Sequence, residues 1–306
     1  MALKDRIPVG MSLPHRSPDP IDMASVRRVA ERAEALGFSD LWVTENTLDH
    51  VFSFDPGVIL AYAAAVTTRI RLGVSVSVLP VHNPSHVAHQ FATLDYVSGG
   101  RAILGLGLGR EHHYAEFQVP MEHRVRRLRE GVEILKALWT QSKVDYRGSI
   151  YRLQGAGMVL KPVQKPHPPI WFGGDHPDAV RRAAALGDGW MGSGGSSISG
   201  FKTNVPILCA ELEKLGRDPA KFPISKRVFL SVDERREIAH AELSRFFATA
   251  YRNPARADAS GLHGTPEQVR EGLAALVAAG ANHLLLNPVG RYTEQVEALA
   301  DVVGLP

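Results

Sequence analysis

A single cysteine, Cys209, in a chain of 306 residues excludes an intramolecular disulfide. It falls within a helical pattern around Thr203 to Leu215 and reads as a small apolar residue rather than a catalytic thiol. Long apolar runs are also missing. No stretch approaches the ~18 consecutive apolar residues of a membrane span. The opening Met-Ala-Leu-Lys-Asp-Arg carries none of the apolar character of a signal peptide, so a cytoplasmic location is expected. Charge of one sign is absent too: 35 Lys and Arg stand against 32 Asp and Glu, net +3, with no basic tract. That balance gives no support to nucleic-acid or membrane-surface binding. No Gly/Ser-rich linker divides the chain, and one domain over residues 1–306 is expected.

What is present is an alternation. Short β-branched or apolar runs occur near Pro8–Leu13, Leu41–Thr44, Leu72–Leu79, Arg101–Gly107, Pro169–Gly173, Gly189–Gly192, Ser225–Val232 and Asn282–Asn287. Longer segments with apolar spacing of three and four lie between them, such as Met23–Leu36 and Leu128–Leu138. Asp22 stands where a cap for the first of these helices is wanted, and Gly37 where a left-handed residue ends it. Strands alternating with helices mean a parallel sheet with helical crossovers. Eight repeats favour closure into a (β/α)₈ TIM barrel of the α/β class, which needs about 250 residues before insertions. Two stretches break the rhythm, near residues 143–162 and 251–265. The first alternates at period two around Gly148 and predicts a small excursion. The second is polar and Ala-rich, and reads equally as a mobile lid or a long surface connection.

The active site of a parallel barrel is built at the C-terminal strand ends. Those ends carry Thr44-Glu45-Asn46, Ser75-Val76, Gly105-Leu106-Gly107-Leu108-Gly109-Arg110-Glu111-His112-His113, Gly173-Gly174-Asp175-His176-Pro177, Ser193-Gly194-Gly195 and Asn287-Pro288. Glycine at four mouths lets backbone approach a flat or extended ligand closely. The Gly173–His176 turn opens a helix at Pro177, so its amides suit a phosphate, and Arg110 adds a charge-assisted contact. A dinucleotide fingerprint is not formed. Counted from Gly105 or Gly107, its third glycine position holds Arg110 or His112, and the run follows the fourth strand rather than the first.

Longer stretches carry a resemblance. They are Arg71-Leu72-Gly73 through Leu79-Pro80-Val81-His82-Asn83-Pro84, Gln90-Phe91-Ala92-Thr93-Leu94-Asp95, and Ser98-Gly99-Gly100-Arg101-Ala102-Ile103-Leu104-Gly105. Lys161-Pro162-Val163-Gln164-Lys165-Pro166-His167-Pro168-Pro169-Ile170-Trp171 and Leu186-Gly187-Asp188-Gly189-Trp190 continue it. From Val9 to Leu299 the chain resembles the luciferase-like monooxygenases. The resemblance implies a flavin-type ring in the barrel mouth, held by Ser75, Val76, Gly107, Gly109, Arg110, Gly173, Gly174, Asp175 and His176. It places a non-proline cis peptide at Ser75–Val76. It implies coenzyme F420 as cofactor, with FMN as the alternative, and a hydride transfer to or from a small organic substrate. Under the FMN alternative the reaction is a monooxygenation by reduced flavin and oxygen. A homodimer and a flavin or F420 reductase partner are further implications. Family members often carry His where this chain has Asn46, which cannot shuttle protons. Glu45 and Asn46 are therefore expected to make polar contacts to ring and substrate, with His112 or His113 as proton donor.

Three rivals deserve comparison. A metal-dependent barrel hydrolase would present H-x-H after the first strand; this chain has Leu13-Pro14-His15-Arg16, and His86 and His89 read as solvated helix residues beyond His82. A Schiff-base aldolase would need a lysine late in a strand, whereas Lys226 sits at the start of strand seven. A non-catalytic cofactor carrier is kept open by Asn46.

Overall fold

The computed structural model describes residues 3–306. Among these residues eight parallel strands close into a barrel: β1 (Val9–Ser12), β2 (Asp40–Val43), β3 (Arg71–Ser77), β4 (Ala102–Leu106), β5 (Ile170–Gly173), β6 (Gly189–Gly192), β7 (Ile224–Val232) and β8 (His283–Pro288). Each falls on one of the eight runs read from the sequence. β1 lies between β2 and β8, in register Met11↔Leu41 and Met11↔Leu286. The ring closes where Met191 of β6 meets Ser225 of β7. The first helix spans Met23–Leu36, where Asp22 accepts from the Ser25 amide and Gly37 ends it at φ 87°. No helix among the described residues is long and apolar enough to cross a membrane.

Alternation along the strands sorts two cores. Outward-facing side chains meet the helices in one large apolar layer. Inward-facing Trp42, Ile103, Trp171, Met191 and Leu285 fill the barrel, so it is a packed core with a mouth rather than a pore. Beneath them lies a buried polar tie. His283 Nε2 donates to both oxygens of Asp40 at 3.1 Å, and Ser225 Oγ donates to His283 Nδ1 at 2.7 Å. Trp42 and Ser39 also donate to Asp40. Burial alone would raise the Asp40 pKa; the His283 contact and these hydrogen bonds hold it below the usual carboxylate value. Ser225 is wholly buried, so this Ser–His–Asp set joins strands and meets no substrate.

Both excursions have structure. The first is a hairpin, Val144–Arg147 against Arg152–Ala156, whose turn is held by Glu130 accepting from the amides of Ser149, Ile150 and Tyr151. The second forms a short helix, Arg256–Ser260, and a strand, Gly261–Gly264, that pairs with Phe229–Val232 of β7. Gly-Leu-His-Gly has too few β-branched residues to read as a strand. It pairs because the nine-residue β7 outruns β6 and leaves its rim edge open. Asp258 accepts from His263 at 3.0 Å and lies 3.4 Å from His240, tying the excursion to the helix Arg236–Tyr251.

Arg101, at the start of the β4 run, holds three segments together. Its guanidinium donates to the carbonyls of Ser98, Ile70, Ala64 and Thr67 and to Thr67 Oγ1, all between 2.7 and 3.0 Å. Every donor of the fork is used, several on the C-terminal carbonyls of the helix Pro56–Val66. Arg101→Ala is expected to cost about 3 kcal/mol or more of unfolding free energy, because it strands buried acceptors. Arg101→Lys, with three donors, recovers only part of it. Urea denaturation of the three proteins checks this, and a loss below about 1 kcal/mol would contradict it.

Candidate active site

At the C-terminal mouth the strand ends enclose a cavity of about 550 Å³, within the range of small-molecule sites. It is lined by Glu45, Asn46, Ser75, Val76, Gly107, Gly109, Arg110, His113, Gly173, Gly174, Asp175 and His176. Among the candidate catalytic and cofactor-binding residues read from the sequence, His112 alone is not on this wall. It stands outside on the rim, its ring 4.1 Å from that of His113, beside a neighbouring crevice. A larger groove of about 760 Å³ runs outside the barrel between the helix Arg124–Thr140 and the hairpin turn. Its lining is charged and far from the strand ends, and the mouth is the better site.

The floor of the cavity is made by β3. The Ser75–Val76 peptide is cis, and the pairing of β3 with β4 shifts register between Val74 and Ser77. Val76 packs against the C-terminal ends of β4 and β5. A Cβ on Gly107 would meet Val76 Cγ2 at 2.5 Å, and one on Gly173 would meet Val76 Cγ1 at 2.7 Å. The sequence reading assigned these glycines to ligand approach. The structure adds an internal reason: without them Val76 has no seat. Gly174 is different. Its φ of 135° is open to glycine alone, and it sets the turn that leads through His176 into the helix Pro177–Leu186.

Several wall residues are occupied by the protein itself. Glu45 Oε2 accepts from Ser77 Oγ at 2.6 Å and the Val78 amide at 3.0 Å, and Oε1 accepts from His82 Nε2 at 2.6 Å. Burial would raise the Glu45 pKa, but His82 and these donors bring it below the usual value. Glu45 is thus a brace between β2 and the turn after β3, with little capacity left for a ligand. His82 was missed as its partner because sequence offers no sign that residues 45 and 82 meet. Asn46 is freer. Its Nδ2 donates to Thr44 Oγ1 at 2.6 Å, and Thr44 in turn bonds His15 Nε2 at 2.7 Å. Burial pushes the His15 pKa down to about 3, so the ring is neutral and fixed by its 2.7 Å contact to the Leu13 carbonyl. Asn46 is left with its carbonyl oxygen and one N–H for a bound molecule.

Asp175 also serves the loop. Its carboxylate accepts from the Ser193 amide at 3.0 Å, while Lys226 Nζ donates to the carbonyls of Ser193 and Ser196 and to Ser196 Oγ. Burial brings the Lys226 pKa down to about 8. Pinned from outside the barrel, Lys226 does not reach the mouth. His113 accepts the Arg110 amide on Nδ1 at 2.9 Å. Its own burial, with the nearby His112, lowers its pKa, which favours the neutral ring and leaves Nε2–H for a ligand. Arg110 lies over the Tyr251 ring at 5.4 Å and donates no side-chain hydrogen bond among the described residues. Sequence reading missed Tyr251, Arg182, Arg227 and Arg256, which also line the mouth; three of them come from helices whose pattern gives no hint of the barrel axis.

The Glu45 brace has a pH signature. A carboxylate whose folded pKa is lowered stabilises the fold fully above its unfolded value, near 4.5, and loses that contribution as pH falls through the folded value. Glu45→Gln is expected to be less stable than wild type at pH 7, with the gap narrowing below about pH 4.5. Thermal denaturation of both proteins across about pH 3 to 7 checks this; a gap constant over that range would show that the charge is not used.

The geometry agrees with known proteins. The family described as luciferase-like monooxygenase matches residues 7–283. An F420-dependent glucose-6-phosphate dehydrogenase of Kineococcus radiotolerans is 32% identical over 67% of this chain, which spans only 63% of that protein's length. An FMNH(2)-dependent dimethylsulfone monooxygenase of Pseudomonas putida is 27% identical over 89% of this chain and 84% of its own. In three dimensions an F420-dependent secondary alcohol dehydrogenase, solved with an F420-acetone adduct, superposes with TM-score 0.84. It is 21% identical, and 97% of this chain and 98% of that one are covered. With its eight-stranded barrel and the family match running over nearly all of it, the chain belongs to the luciferase-like monooxygenase family.

Proposed function

We propose that this protein is an oxidoreductase that moves a hydride between coenzyme F420 and a small organic substrate. The observation that carries the reading is the wall of the mouth. Gly107, Gly109, Gly173 and Gly174 present side-chain-free backbone to the cavity, and Arg110 lines the same cavity as the Gly173–His176 helix start, its guanidinium donating to no acceptor among the described residues. A flat ring carrying a phosphate fits such a wall: bare backbone admits the ring, and a helix start with an arginine suits the anion. Bound there, the deazaflavin would supply the hydride-accepting or hydride-donating centre.

The protein's own contribution is position and dryness. Ser75 and Val76 form the floor against which a ring lies. Asn46, oriented through Thr44 and His15, offers a polar contact above it, and His113 Nε2–H stands at the rim as the proton-holding group. Tyr251 covers one side of the opening. His112, on the outer rim, is left without a place in this scheme. The reading of the chain as an FMN-dependent monooxygenase is supported by the Pseudomonas putida relative, which is similar over the larger share of this chain. That reading also calls for a partner reductase.

Fluorescence titration of the purified protein with F420 and, separately, FMN tests the choice. Saturable F420 binding, weakened about tenfold or more in Arg110→Ala, is expected, since a charge-assisted contact contributes about 1.5–3 kcal/mol. Preference for FMN would move the protein to the oxygen-using reading. Failure of both ligands to bind would overturn the cofactor assignment.

A further inference from the structure

The mouth carries more positive charge than one cofactor phosphate explains. Four guanidinium groups line it, those of Arg110, Arg182, Arg227 and Arg256, against the two carboxylates of Glu45 and Asp175. Glu45 is committed to Ser77, Val78 and His82, and Asp175 to the Ser193 amide.

Arg227 is the one set among the barrel's inward side chains. It projects from β7, opposite Leu285 of β8, and packs over the Phe229 ring at 4.6 Å. Its Nε and Nη2 both donate to one atom, Asn287 Oδ1, at 2.9 and 2.5 Å. Asn287 is itself fixed, its Nδ2 donating to the Pro288 carbonyl at 3.0 Å. The remaining contact runs from Nη1 to the Ser75 carbonyl at 3.4 Å. Two of the five N–H groups of the fork have no acceptor among the described residues, and no carboxylate pairs with it. Burial, with Arg16 and Arg110 adding to it, lowers its pKa to about 10, so it is charged at neutral pH. Arg227 is half-buried, and a partly desolvated cation without a counter-ion carries a cost that a bound anion would relieve. Asn287 occupies the Nε edge of the fork, and Nη1 and Nη2 at its terminal end each keep one N–H for the cavity that Arg227 lines. That end has the spacing for two parallel contacts to one planar or tetrahedral oxyanion.

We propose that the substrate is a small organic anion whose carboxylate, sulfonate or phosphate group docks end-on at Arg227, beside the Ser75–Val76 floor. The proposal rests on the oxidoreductase reading for what is done to that substrate, but not for the anion site itself. Arg256 flanks the same side of the mouth. A Cβ on Gly195 would meet its Nη1 at 2.7 Å, and one on the adjacent Gly194 would meet Arg227 Cγ at 3.4 Å. It gives an approaching anion a second, outer charge. Asn287 is a positioning residue that aims the fork.

The test uses wild type, Arg227→Gln and Arg227→Lys, each first shown by thermal denaturation to be folded. Cofactor affinity is measured for all three. Benzoate, sulfate and the neutral isostere benzamide are then titrated into cofactor-loaded protein, following cofactor fluorescence, and into cofactor-free protein, following tryptophan fluorescence. Benzoate should bind wild type about tenfold or more tighter than benzamide, Arg227→Gln should erase that preference, and Arg227→Lys should fall between. Sulfate should compete with benzoate in wild type, and cofactor affinity should change by less than about threefold in Arg227→Gln. Unchanged benzoate preference in Arg227→Gln would overturn the proposal. So would a loss of cofactor affinity as large as the loss of anion affinity, which would assign Arg227 to the cofactor's own charge. If no cofactor binds to any variant, the oxidoreductase reading fails, while the cofactor-free titration still decides the anion site.

Discussion

Closure of the sheet is the constraint on which the rest of this molecule depends. The pairing of β6 with the first residues of β7 turns an open row of strands into a ring, and only a ring brings the ends of β2, β3, β4, β5 and β7 around one space. β7 is long enough to serve two partners along one edge: β6 below, and the strand Gly261–Gly264 above. The same strand therefore completes the barrel and anchors the excursion at its rim. Arg227 sits on this strand between those two pairings, so its place in the cavity follows from the closure itself.

Much of the architecture was legible. Eight apolar runs, separated by helix-period segments with recognisable caps at Asp22 and Gly37, allow few arrangements other than a barrel. The strand-end rule then located the mouth without any coordinates. Roles were less legible than places. Glu45 was expected to face a ligand, yet its oxygens are taken by Ser77, Val78 and His82. That is a matter of which atoms meet across the fold, and no local pattern encodes it. Gly107 and Gly173 were read as openings for a ligand, but they also make room for a valine one and two strands earlier in the chain. His112 and His113 are indistinguishable as neighbours in the chain. A helix turn of about 100° per residue separates their directions, and only one lines the cavity.

The arginines show the opposite failure. Arg227 follows Lys226 in a strand that reads as a plain alternation, and a basic pair in a strand is more often solvated than buried. In the barrel the alternation sends Lys226 out, to hold the loop Ser193–Ser196, and Arg227 in, to the cavity. One residue of register decides which cation is a fastener and which meets the ligand. Similarly, Tyr251 gathers Arg16, Arg110 and Arg256 about its ring at 5.1 to 5.7 Å, although these residues are scattered from one end of the chain to the other.

The seat of Val76 has an implication for how such a site can change over time. Residues 76, 107 and 173 fill one another's space, so none of them can grow unless another shrinks in the same step. Single substitutions on that side of the mouth meet a steric penalty before any new chemistry is tried. On the opposite side, at Tyr251 and Arg256, the close contact is with the end of a flexible side chain: a Cβ on Gly195 would meet Arg256 Nη1, which can swing away. Divergence toward new substrates should therefore be recorded there, with the β3–β4–β5 wall passed down nearly unaltered.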